Sequence, residues 1–141
     1  MGSRRQARES TLQMLYLCDN CRFTPDEAHL SFEALGIEKN SFVEKLFFGT
    51  WEEKLKLDKL ISDCAENWEM DRMAVVDRNI LRLATFEIVN MPETPISVII
   101  DEAVEIAKKY STIDSGKFVN GILDKLKSAR SQDPQIPHTK H

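Results

Sequence analysis

Apolar residues recur every three to four positions along most of this chain, and no stretch alternates as a half-buried strand does. The pattern predicts an all-α fold. A first helix runs from about Arg4 to Cys18, with Ala7, Thr11, Leu15 and Cys18 on one side and Leu12 and Tyr16 beside them. Arg5, Arg8, Leu12 and Tyr16 fall along one stripe, so guanidinium groups and an aromatic ring share a face. "TPDEAHLSFEALG" reads as a short second helix: Thr24 is the N-cap, Pro25 sits in the first turn, Glu27 completes a capping box, and Gly36 is the left-handed stop.

From Asn40 or Ser41 the apolar positions Val43, Leu46 and Phe47 continue through Leu57, Leu60, Ile61, Cys64 and Trp68. With Gly49 and the charged "EEKLKLDK" in between, one bent helix and two consecutive helices fit equally well. Asp71 is the expected cap of a further helix whose residues Val76, Ile80, Leu81, Leu83, Ala84, Phe86 and Ile88 leave little polar face, which predicts a central, buried position. Pro92 and Pro95 end it and help start the next. In "ISVIIDEAVEIAKKY" the residues Ile96, Ile99, Ile100, Ala103, Ile106, Ala107 and Tyr110 form one stripe, and Glu105 and Lys109 are spaced as an i,i+4 ion pair. Asp114 is the expected cap of a last helix carrying Val119, Ile122, Leu123 and Leu126, and residues 129–141 read as a disordered tail broken by Pro134 and Pro137.

The length, 141 residues, suits one compact unit. No apolar run approaches the roughly 20 residues of a membrane helix and the start lacks the apolar core of a secretory signal, so a soluble cytoplasmic protein without membrane association is expected. Cys18, Cys21 and Cys64 form an odd set, consistent with reduced thiols, and the C-x-x-C of Cys18 and Cys21 lacks the further ligands of a zinc site. The net charge of −4 disfavours indiscriminate binding to nucleic acid. Its distribution is uneven, since residues 1–8 carry Arg4, Arg5 and Arg8 and no acid.

Residues 114–126, "DSGKFVNGILDKL", pose a chemical question, because glycine weakens a helix by about 1 kcal/mol relative to alanine. A phosphate-binding loop is excluded: Ser111 stands where the motif needs an earlier glycine, and Phe118 where it needs Ser or Thr. Paired acids such as Asp101 and Glu105 read as a solvated helix face, and His29, His138 and His141 complete no nucleophile constellation. No catalytic residue, metal site or cofactor is expected. What remains is a binding surface, with Lys117 and Asn120 on the less apolar side of the last helix. Phe118 is placed by spacing in the core, although partial exposure for stacking is open. Arginines, an aromatic ring and an amide are what single-stranded RNA recognition uses.

The blocks "VVDRNILRLATFEI" (75–88), "PISVIIDEAVEIAKKY" (95–110) and "SGKFVNGILDKL" (115–126), with the start "RRQARESTLQMLY", resemble the bacterial transcription antitermination factor NusB family. The resemblance implies two small helical bundles packed into one globular unit of about six to seven helices. Their expected limits are residues 1–70, with an arginine-rich arm, and residues 71–128. It further implies binding to the single-stranded boxA RNA of ribosomal RNA operons together with ribosomal protein NusE, and indirect association with other Nus factors and RNA polymerase. Some members of the family form homodimers that cover the RNA surface. By matching position, Arg4, Arg5 and Arg8 correspond to the RNA-contacting arm, and Lys117, Phe118 and Asn120 to the segment beside it. Tyr16 and Asp114 match positions near that surface, and Asp77 an acidic position facing NusE. The alternative is a helical protein-interaction module, such as an accessory domain, without RNA affinity of its own.

Overall fold

The structure, a computed structural model, describes residues 3–34, 41–66 and 68–132. Seven α-helices and one 3-10 turn, and no strand, occur among them. They are α1 (Ser3–Asn20), α2 (Pro25–Ala34), α3 (Ser41–Glu52), α4 (Lys54–Cys64), the 3-10 turn Met70–Arg72, α5 (Val75–Asn90), α6 (Ile96–Tyr110) and α7 (Ile113–Gln132). No described helix is long and apolar enough to cross a membrane. The capping box of α2 forms as expected: the Thr24 amide donates to Glu27 Oε1 at 2.8 Å, and the Glu27 amide donates to Thr24 Oγ1 at 3.1 Å. Gly36, its expected stop, and His138, His141, Pro134 and Pro137 of the tail lie outside the described residues.

The segment from Ser41 to Cys64 is two helices, interrupted at Glu53 rather than at Gly49. Gly49 serves packing instead. A Cβ added there would lie 2.4 Å from Cζ of Phe86, so only glycine lets α3 approach α5 this closely. Two expected caps are corrected. Asp71 falls in the 3-10 turn, and extended backbone at Met73 and Ala74 delays α5 to Val75. Ahead of α7 it is Thr112, not Asp114, whose hydroxyl accepts the Ser115 amide, at 2.9 Å, as an N-cap does.

Helix α5 is central and largely buried, as its apolar sequence predicts. It lines two cores. Ile80, Leu81, Ala84 and Ile88 join α6 and α7, whereas Leu83 and Phe86 join Met14, Leu15, Phe32, Leu46, Phe47 and Leu57. Leu12 of α1, with Ile61 and Ala65 at the end of α4, also belongs to the first of these cores. Trp68, which the apolar pattern carries into the interior, is instead 49% exposed after α4 has ended.

Helix α7 continues four residues beyond 128, so the part of the expected tail up to Gln132 is helical. Arg130 accounts for the extension. Its guanidinium donates to the carbonyls of Ile88 at 2.9 Å, Thr94 at 2.9 Å, Met91 at 3.0 Å and Glu87 at 3.2 Å. These carbonyls lie at and just beyond the C-terminal end of α5, where a cation is favoured by the helix dipole.

Candidate nucleic-acid interface

The arginines near the N-terminus do not form a free arm, because α1 begins at Ser3 and carries all three. Each is engaged within the fold. Arg4 is exposed and lies over the Phe42 ring, 3.7 Å from its centroid. Arg5 makes a bidentate pair with Glu102 of α6, its Nη2 donating to Oε2 at 2.9 Å and its Nε to Oε1. The hydrogen bond from Arg5 holds the Glu102 carboxyl below its ordinary value.

Arg8 is only 5% exposed, and donates from Nε and Nη2 to Glu87 of α5 at 2.8 and 2.7 Å. The guanidinium matched by position to the RNA-contacting arm thus sits in a helix interface on a buried carboxylate. Two further links tie α1 to α6, from Lys109 Nζ to Glu9 at 3.1 Å and from the Tyr110 hydroxyl to Glu9 at 3.1 Å. The expected Glu105–Lys109 pair is thereby replaced, and Glu105 pairs with Lys108 at 3.0 Å.

The first turns of α7 present the other candidate residues. Asp114, Lys117 and Asn120 are exposed on one end of the helix. Phe118 is half-buried: it packs against the α5–α6–α7 core and meets Trp68 edge-on, with ring centroids 5.5 Å apart and an interplanar angle of 69°. Core and surface readings of Phe118 thus each hold for part of the ring. Trp68 was not singled out by sequence as a surface residue, and its only signal was its place at the very end of an apolar series.

Gly121 is exposed, and an added Cβ would meet nothing within 4 Å. No described helix needs the space. Gly121→Ala is therefore expected to raise stability by about 0.5–1 kcal/mol through helix propensity. Thermal unfolding checks this, and a lowered melting temperature would show that the position is constrained after all.

Beside α1 lies an open apolar groove of about 380 Å³ lined by Leu12, Gln13, Tyr16, Leu17, Val76 and Tyr110. Tyr16 is 36% exposed, and its hydroxyl accepts from Asn20 at 3.0 Å. Asp77, next to Val76 and matched by position to the NusE-facing side, is buried. Ser115 donates to its Oδ2 at 3.1 Å, while Oδ1 is buried without a partner, and burial pushes the carboxyl above its ordinary value.

Among the described residues no group of three or more His, Cys, Asp or Glu side chains is arranged to hold a metal ion. Seven helices around two cores, with an exposed basic and aromatic strip on α7 and an apolar groove at α1, define a helical binding protein. The chain belongs to the NusB family, whose family model matches residues 5–128. It is 44% identical over 138 residues to the transcription antitermination protein NusB of Elusimicrobium minutum, covering 92% of this chain and 96% of that one. Its fold is similar to that of Thermotoga maritima NusB, with a TM-score of 0.82, 36% identity, and 95% and 93% of the two chains covered. A solved complex of the antitermination factors NusB and NusE with double-stranded RNA contains a chain that is 27% identical, with a TM-score of 0.82 and coverage of 92% and 98%. The family consists of transcription antitermination factors, not enzymes.

Proposed function

We propose that this protein is an RNA and protein adaptor that binds single-stranded boxA RNA of ribosomal RNA operons together with ribosomal protein NusE. Through NusE and other Nus factors it supports processive transcription by RNA polymerase. The observation that carries the reading is the exposed group of Lys117, Asn120 and half-exposed Phe118 at the start of α7. It combines a cation for phosphate, an amide for base edges and a ring for stacking. A structural relative that is complexed with NusE and RNA supports both partners. Arg4 and the part-exposed Arg5 extend the basic character on α1, and α6 contacts both α1 and α7. Asp77, at the start of α5 beside the groove residue Val76, marks the side that faces NusE in this reading. Tyr16 and Asp114 border the RNA face.

A second reading, a protein-interaction module without its own RNA affinity, is favoured by one observation: Arg5 and Arg8 already hold carboxylates. Labelled boxA RNA titrated with and without NusE over several salt concentrations separates the two. Lys117→Ala is expected to weaken binding and reduce the slope of log affinity against log salt by about one. Unchanged affinity and slope would remove Lys117 from the interface, and no binding of boxA above a scrambled RNA, even with NusE, would favour the second reading.

A further inference from the structure

We propose that Trp68 is a second base-stacking residue, forming with Phe118 a two-ring platform for single-stranded RNA; this rests on the RNA-binding reading above. A large aromatic side chain left half in water is unusual enough to ask what covers it. Trp68 is 49% exposed although its backbone is tied to the end of α4. Its amide donates to the Ala65 carbonyl at 3.0 Å, and Ala65 on one side and Met73 on the other are buried in the core. The Trp68 backbone is thus tied to the end of α4, and its ring already contacts Phe118, which lowers the ordering cost of binding.

The ring geometry adds to this. At 5.5 Å and 69° to Phe118, the pair is an edge-to-face contact. Two rings inclined in this way turn their faces in different directions, so they suit two bases splayed out of a continuous stack rather than one. Cations flank the pair. Lys117 precedes Phe118, and Lys125 Nζ lies 3.5 Å from the Cys64 carbonyl and 3.9 Å from Glu66, on the Trp68 side. Asn120 and the bare backbone of Gly121 complete a strip on which a nucleic-acid backbone can approach closely. Phosphate contacts and stacking surfaces interleaved in this manner are the general design of single-strand binding.

The test uses the full chain with labelled boxA RNA, in the presence of NusE. Trp68→Ala is expected to weaken binding about 5- to 150-fold, the equivalent of the 1–3 kcal/mol typical of one base–ring stack. Trp68→Phe, which keeps a ring, should stay within about threefold of the parent. The chain has two tryptophans. With Trp51→Phe in place, this chain emits from Trp68 alone, and that emission should be quenched by RNA. If Trp68 merely props Phe118, the Trp68→Ala/Phe118→Ala pair will bind no more weakly than Phe118→Ala alone, and the proposal is overturned. Parent-like binding by Trp68→Ala while Phe118→Ala is impaired also overturns it and leaves the RNA reading intact. Loss of NusE binding by Trp68→Ala in the absence of RNA would make Trp68 a protein contact and overturn it as well. If the parent chain itself binds no RNA, the underlying function fails, and Trp68 with it.

Discussion

Glu87→Ala will lower the unfolding free energy by about 3–5 kcal/mol, the range for stranding one member of a buried ion pair. Glu87 is 1% exposed, and its two oxygens accept both Arg8 donors at 2.7 and 2.8 Å. Ile80, Leu83, Ala84, Ile99, Ala103 and Ile106 surround the pair, so water cannot replace the lost carboxylate without opening the contact between α5 and α6. Arg8→Ala should behave similarly by leaving the anion alone. Replacing both partners, as Arg8→Met with Glu87→Leu, should recover much of the loss, because neither charge then has to be desolvated. Urea denaturation of the two single variants and the double variant measures this. A loss below about 1 kcal/mol for Glu87→Ala would mean that the pair is hydrated in solution. The result bears directly on function, since weak RNA binding by an Arg8 variant would first have to be separated from a smaller folded fraction.

Arg82→Ala is the second large effect, again about 3–5 kcal/mol, because a buried cation there holds two acids. Arg82 Nε and Nη2 donate to Asp58 at 2.7 and 3.0 Å, and Nη1 donates to Asp19 at 2.9 Å and to Asn79 at 3.0 Å. The arginine thus ties the end of α1 and the middle of α4 to α5. Burial alone would raise the Asp19 carboxyl, but hydrogen bonds from Arg78 and Asn79 and the charge of Arg82 bring it down to about 2. A carboxylate depressed in the folded state stabilises the fold above its unfolded value, ordinarily near 3.8, and loses that contribution as pH falls through about 2. The contribution amounts to about 2 kcal/mol. In Arg82→Ala the Asp19 carboxyl moves up toward its ordinary value, so acid destabilisation should begin at higher pH. Unfolding followed from pH 6 to pH 2 checks both statements. An unchanged acid profile with parent-like stability would show that Arg78 alone is sufficient for Asp19.

The helices themselves were legible in the sequence because the 3.6-residue pattern and the Thr24–Glu27 capping box are local signals. The central place of α5 was legible for the same reason, as its apolar residues are spread around the helix and leave little polar face. The candidate surface was less so. An arginine beside an aliphatic stripe has the same pattern whether it meets solvent or a carboxylate, and Glu87 and Glu102 lie 79 and 97 residues from their partners. Asp77 became buried for a comparable reason, since its partner Ser115 is 38 residues away. Periodicity carried Trp68 inward because it assumes that a helix continues, whereas α4 stops at Cys64. Phe118 divided the two readings because a helical ring at the margin of a core is covered on one side only.

The Arg5–Glu102 pair changes what a contact at Arg5 means. An anion that reaches this guanidinium arrives at a position where the fold already supplies one, with the fork geometry filled by a carboxylate. Binding there is an exchange of one oxyanion for another rather than the capture of a free cation, so fewer salt ions are released than at an unpaired side chain. Glu102 works as a resident competitor that a passing phosphate has to displace, which makes Arg5 sensitive to how well an anion is presented.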